Sequence, residues 1–179
     1  MDAKKAVFFC SSSYNIDPKY NQAARDVVRA ACACGYDIVS GGTVKGTMLH
    51  VADEAIRCGR ASIGILPRFM QGLEYPRLTE LVWTDTMAER KELMRAGTSL
   101  AVALPGGIGT LDELFETFTL AKLRRYPGRV VAYNFEGFYD SLVRLLDEYV
   151  AAEMLDPASR ALIAFPETVA EFVKVISQE

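Results

Sequence analysis

The chain has 179 residues, of which 50% are hydrophobic and 24% charged, and its net charge is −3. That length suits one domain, spanning 1–179, with one sizeable core, and the mild acidity gives no global attraction to nucleic acid or anionic membranes. Charged residues interrupt every apolar run well short of a membrane span, and the run after Lys4 and Lys5 turns polar too soon for a signal-peptide core, so a cytoplasmic protein is expected.

In chain order, short β-rich runs alternate with amphipathic runs of helical length. "AVFFC" (6–10) reads as a strand, and the following helix has Asp17 as N-cap, Pro18 at its first position and Gly35 as its stop. "YDIVS" (36–40) is the second strand, followed by a Gly-rich turn and a helix to about Gly59. "ASIGIL" (61–66) and "ELVWT" (80–84) are the next strands, joined by a loop with Pro67, Gly72 and Pro76. "TMAERKELMRA" (86–96) opens with Thr86 and Glu89 at capping-box spacing. "SLAVAL" (99–104) has the continuous apolar character of a strand covered on both faces. Beyond it come a helix, "RVVAYN" (129–134), a long helix over 138–153, "ALIAF" (161–165) and a last helix from Pro166. The alternation predicts an α/β, Rossmann-like, doubly wound parallel sheet of about seven strands with helices on both faces. Ligands in such sheets sit at the carboxyl ends of the strands, near the point where strand order reverses.

Three loops there attract attention. In "LPGGIGTLDEL" (104–114), Gly106, Gly107 and Gly109 lie between a buried strand and a helix N-terminus. Bare backbone at that terminus lets an anion reach unpaired N–H groups, and Thr110 adds a hydroxyl, so the loop reads as a phosphate site. The spacing is neither GxGxxG nor a Walker loop, which argues against a dinucleotide or a nucleoside triphosphate. The other reading is a tight turn with close helix–strand packing. "CSSSY" (10–14), with Ser12, and "SGGTVKGT" (40–47), with Gly42, end the first two strands and can donate to the same ligand. Glu113 stands three residues after Thr110, either as the far half of a capping box or as a carboxylate beside the phosphate, kept ionised by the helix terminus and a nearby arginine. Arg90 lies in the middle of a stripe formed by Met87, Met94 and Gly97, where an unpaired charge is costly, so it is expected to meet a carboxylate or a ligand anion. Lys91 reads as a snorkelling surface lysine, and "KLRRYPGR" (122–129) as a solvated basic rim. Cys10, Cys32, Cys34 and Cys58 read as structural thiols in a reducing compartment, and His50, the single histidine, as structural or a minor pocket residue.

Together these residues resemble the LONELY GUY family of cytokinin-activating phosphoribohydrolases. "PGGIGTLDE" (105–113) is similar to that family's PGGxGTxxE signature and "MAERK" (87–91) to its M-x-x-R-K motif. "FCSSS", "YNQAA", "LTELVW" and "GFYDSLVRLLDEYV" fall where the family pattern places them, so the resemblance covers essentially the whole chain. It implies hydrolysis of the N-glycosidic bond of a nucleoside 5′-monophosphate to free base and ribose 5-phosphate, without metal or other cofactor, by a homodimer. Carried over by position, Arg90 and Glu113 take the catalytic places, and Gly106, Gly107, Gly109 and Thr110 hold the phosphate. Lys91, Glu74 and Thr119 line the substrate site. The departures are local. "GGTVKGTML" replaces the family's GGGxxGLMG, the histidine after the loop glutamate is absent from "EYPRLTE", and Leu120 and Lys122 stand at the usual Trp and Gln positions. These changes fall on the base pocket and predict a base preference unlike that of a dedicated cytokinin enzyme. No pattern points to pyridoxal phosphate, so the older label of lysine decarboxylase for such sequences is not expected to describe the activity. The rival reading, from another class, is a non-catalytic carrier of a phosphorylated cofactor, like the related molybdenum-cofactor carrier proteins.

Overall fold

The computed structural model describes residues 4–177. Residues 1–3, where the segment read for a leader begins, and 178–179 lie outside the described residues. Seven strands form one parallel sheet in the order β4-β3-β2-β1-β5-β6-β7. They are β1 (Lys4–Phe9), β2 (Tyr36–Ser40), β3 (Ser62–Pro67), β4 (Glu80–Thr84), β5 (Leu100–Ala103), β6 (Arg129–Ala132) and β7 (Ile163–Ala164). The helices are α1 (Pro18–Ala33), α2 (Thr47–Arg57), α3 (Met87–Arg95), α4 (Ile108–Lys122), α5 (Asp140–Ala151), α6 (Pro157–Arg160) and α7 (Val169–Ser177).

The period-2 alternation of the central strands divides the interior into two cores. Ala6, Phe8, Leu100 and Val102 face α1, α2 and α7, meeting Val27, Val51 and Phe172. Val7, Phe9, Ala101 and Ala103 face the other way, meeting Met94 of α3, Leu114 and Phe118 of α4 and Leu142 of α5. Because both faces are covered, β1 and β5 are buried along their apolar lengths, as continuous hydrophobic runs require. The chain winds outward in opposite directions from β1 and β5, so the reversal point of the sheet lies between them. Loops 10–17 and 104–107 leave the sheet side by side there.

Local signals set the helix ends. The Asp17 carboxylate accepts from the Lys19 amide at 3.0 Å with Pro18 next in line, and Gly35 beyond the end takes φ of 90°. The Thr86 hydroxyl accepts from the Glu89 amide, while the Glu89 carboxylate reaches the Asp85 amide rather than that of Thr86. The four-residue α6 is an addition to the predicted elements, although Asp156 before Pro157 repeats the signal at Asp17 and Pro18.

Gly42, expected at the ligand, has a packing reason of its own. Its φ is +70°, and a Cβ there would stand 2.6 Å from the Gly64 Cα in β3 and would strike Leu66. Gly42→Ala is therefore expected to lose roughly 3 kcal/mol of stability, from overpacking and left-handed strain together, measured by the urea midpoint. A parental midpoint would contradict this account of the position.

Candidate active site

A cavity of about 400 Å³ opens at the reversal point, walled by Cys10–Ser13, Gly41, Met48, α3 and the start of α4. The strand β5 runs out at Leu104, whose amide donates to the Phe9 carbonyl at 2.9 Å, and Pro105 and Gly106 then carry the chain to α4. Gly107 is the N-cap, and no side chain caps the helix, so its first-turn amides are left to a ligand. Gly106 cannot carry a Cβ, which would collide with the Thr110 hydroxyl and stand 3.1 Å from the Ser11 amide. At Gly107 and Gly109 a Cβ would meet nothing within 4 Å, so their missing side chains leave open space at the helix terminus. Thr110 lines the cavity at 2% exposure, and its hydroxyl has no hydrogen-bond partner among the described residues. A buried orphan hydroxyl beside unpaired amides is the signature of a site for an anion.

Arg90 forms the opposite wall and is buried. Its partners differ from those expected. Nε donates to the Ile65 carbonyl at 2.9 Å and Nη2 to the Gly41 carbonyl at 3.3 Å, rather than to a carboxylate. Two main-chain acceptors hold the guanidinium edge-on, and the rest of the fork faces the cavity. Gly41 must be glycine for this approach, since a Cβ would run into Arg90 and lie 2.6 Å from the Met48 sulfur. Burial lowers the Arg90 pKa, and Glu113 across the cavity raises it again.

Glu113 is not a capping residue. With Gly107 as N-cap, Glu113 falls in the second turn of α4, and its side chain lines the cavity. The expected electrostatics are also reversed. Burial dominates over Arg90 and pushes the carboxyl from 4.5 up to about 7, so the group is poised at neutrality rather than held fully ionised. Cys10, at the end of β1, has its thiol pKa raised by burial and then by Glu113, and it stays protonated.

Ser12 and Lys91 also line the cavity. Lys91 is no free cation, for its ammonium pairs with Asp112 at 3.0 Å and Glu116 at 2.7 Å. Its hydrogen bonds to the Glu116 and Asp112 carboxylates raise its pKa. Glu74, Gly42 and Thr119 lie off this wall. The Glu74 carboxylate accepts from the Gly72 amide at 2.6 Å within its own loop, and Thr119 is exposed on α4. Leu120 lines a different cavity, between α3 and α4, and the Lys122 ammonium lies 4.0 Å from Asp156. The sequence reading does not single out Gly41, Met48 or Met70, though the doubled glycine at the end of β2 is a visible signal for the first. His50 is structural: its Nδ1 lies 2.9 Å from Arg25 Nη2, and burial and that cation lower its pKa.

The raised Glu113 pKa has a thermodynamic sign. Below pH 4.5 the carboxyl is protonated whether the chain is folded or not, and no penalty arises. Between 4.5 and about 7 the unfolded chain ionises first, so stability is lost as pH rises, and the loss is complete above 7. Glu113→Gln is expected to be more stable than the parent at pH 8, by up to roughly 3 kcal/mol. That advantage vanishes below pH 4.5, and urea melts at both pH values check it.

A family described as "Possible lysine decarboxylase" matches residues 48–176. The chain is 32% identical over 177 residues to a probable cytokinin riboside 5′-monophosphate phosphoribohydrolase of Oryza sativa subsp. japonica, covering 98% of this chain and 84% of the relative. A cytokinin riboside 5′-monophosphate phosphoribohydrolase of Arabidopsis thaliana is also 32% identical, over 98% of this chain and 82% of its own length. Among solved structures, the molybdenum cofactor carrier protein of Chlamydomonas reinhardtii superposes with a TM-score of 0.76 at 17% identity, over 99% of this chain and 98% of that one. The molybdenum cofactor binding protein of Rippkaea orientalis gives 0.71 at 18%, over 98% and 96%. At those identities the superpositions establish the fold alone. By the extent of the match and the identity to its relatives, the chain belongs to the family that carries that description and that includes the cytokinin riboside 5′-monophosphate phosphoribohydrolases.

Proposed function

We propose that the protein hydrolyses the N-glycosidic bond of nucleoside 5′-monophosphates, giving free base and ribose 5-phosphate. The observation that carries this is a half-buried carboxylate, Glu113, one helical turn beyond an uncapped glycine-rich helix terminus in the same cavity. A 5′-phosphate on the amides of Gly107 and Gly109, with the Thr110 hydroxyl, sets the ribose against Glu113. As the bond from C1′ to the base nitrogen breaks, the ribose ring gains positive charge, which the Glu113 carboxylate stabilises. The electron pair of the broken bond leaves on the base nitrogen, a water oxygen bonds to C1′, and the same carboxylate takes the water's proton and passes it to the departing base, which returns Glu113 to its ionised form. Arg90 presents its cation to the phosphate and tempers the Glu113 pKa across the cavity. A carrier of a phosphorylated cofactor needs the loop but has no use for this pair.

The protein acts as a homodimer in the cytoplasm in this reading. Ile108 and Phe115 on α4 and Leu123 at its C-cap are exposed, an apolar face that suits a second copy and would enclose Thr119 as well. The cysteines are free, in keeping with a reducing compartment, and no helix among the described residues is long and apolar enough to cross a membrane. Leu120 and Lys122 line no part of this cavity within one protomer, so in this reading they bear on base preference only from a second copy.

Incubation with a panel of nucleotides and assay of the released base tests the reading directly. AMP should bind far more tightly than adenosine in calorimetry, and equal affinities would rule out the phosphate site. Gly107→Val should still fold, since a Cβ there meets no protein atom within 4 Å, yet lose most monophosphate binding. Glu113→Gln should retain binding and lose on the order of 10²–10³ in rate. With the carboxylate as the working form, kcat/KM of the parent should rise with pH through about 7 and level off above it. A profile that falls across that range would instead make Glu113 a proton donor.

A further inference from the structure

The Leu104 carbonyl stands just before the glycine loop, and the residue after it, Pro105, has no N–H. That carbonyl accepts a hydrogen bond from the Tyr139 hydroxyl at 2.7 Å. Tyr139 immediately precedes α5; it is 3% exposed and lines none of the cavity wall. The ring is itself fixed. Its amide donates to the Asn134 side-chain oxygen at 2.6 Å, and the Asn134 side-chain nitrogen donates to Asp140 at 2.8 Å. Asn134 is 2% exposed, and its own amide donates to the Pro166 carbonyl at 2.8 Å. A rigid path thus runs from the ends of β6 and β7 through one phenol to the residue where the phosphate loop departs.

Leu104 is pinned at both ends, by Phe9 through its amide and by Tyr139 through its carbonyl. With Pro105 fixing φ beyond it, little freedom remains before Gly106, whose packing on Thr110 and the Ser11 amide tolerates no added atom. The direction of the Leu104 carbonyl therefore sets the amides that open α4. We propose that Tyr139 is a positioning residue for the phosphate loop, acting through the Leu104 carbonyl on the amides of residues 107–110; this rests on the phosphate assignment above. Burial raises the phenol pKa, so the hydroxyl remains a donor over the working pH range.

Tyr139→Phe keeps the ring and removes only the donor. A loop held equally in ground and transition states contributes uniform binding, so its loosening raises KM and spares kcat. The expected result is a rise of about tenfold in KM and in the calorimetric Kd for AMP, with kcat within about twofold. Faster amide hydrogen exchange over 106–110 in the ligand-free protein should accompany it. Parental KM, Kd and exchange, whatever the change in Tm, overturn the proposal, since a purely structural tyrosine would move only Tm. Should Tyr139→Phe fail to fold, Asp140→Ala, at an exposed position, frees the Asn134 amide that holds Tyr139. It should raise KM about two- to threefold with kcat kept, and a parental KM there overturns the proposal equally. A parent that cleaves no monophosphate refutes the hydrolase reading instead. Calorimetry with inorganic phosphate and the exchange rates then still decide the role of Tyr139.

Discussion

Burying a guanidinium among methionines is tolerable only if its N–H groups find acceptors, and in this fold the acceptors are main-chain. Arg90 reaches the Ile65 carbonyl within β3 and the Gly41 carbonyl just beyond β2, so one side chain ties α3 to β3 and to the loop leaving β2. Breaking that arrangement would leave two buried carbonyls and a buried charge without partners, a penalty of several kcal/mol. The arginine is thus at once a brace and the wall of the cavity. Its orientation is settled before any ligand arrives, as preorganised electrostatics requires.

Glu113 is the counterpart on the other half of the sheet. It rides on α4, whose inner face is fixed by Leu114 and Phe118 in the core beneath. Neighbouring residues of the same helix thus do different work: Leu114 holds the helix down, and Glu113 faces the cavity. The carboxyl feels burial more strongly than it feels Arg90, and the outcome is a group near the middle of its titration at neutral pH. Distance achieves this balance, since a direct ion pair with the guanidinium would have driven the pKa down.

The sheet was legible in the sequence because each signal was local. The strands at 36–40 and 80–84 fall where the apolar runs place them, and the caps at Asp17 and Thr86 work through residues two or three positions away. The fold class follows, and the seven parallel strands bear it out. The site was legible less evenly. Arg90 announced itself as a charge in an apolar stripe, yet its carbonyl partners lie 25 and 49 residues away and carry no side-chain signature. Glu113 invited a capping reading because Thr110 resembles an N-cap, whereas the helix begins earlier, at Gly107. Seven residues separate Leu120 from Glu113, which keeps it on the same face of α4 but about 10 Å further along, over another cavity. The hydrogen bond from Tyr139 to Leu104 spans 35 residues, and no motif spacing encodes it.

The pairing of Lys91 with Asp112 and Glu116 shapes how an anion must arrive. With that ammonium neutralised by its neighbours and a chain charge of −3, the molecule offers a phosphate ester no long-range welcome. Attraction begins close to the cavity, from backbone dipoles, one braced guanidinium and the Lys45 ammonium on its wall. Encounter is then governed by unaided diffusion, and discrimination falls to the lifetime of the complex rather than to the speed of its formation. Dissolved salt, which weakens steering between distant charges, has little here to weaken.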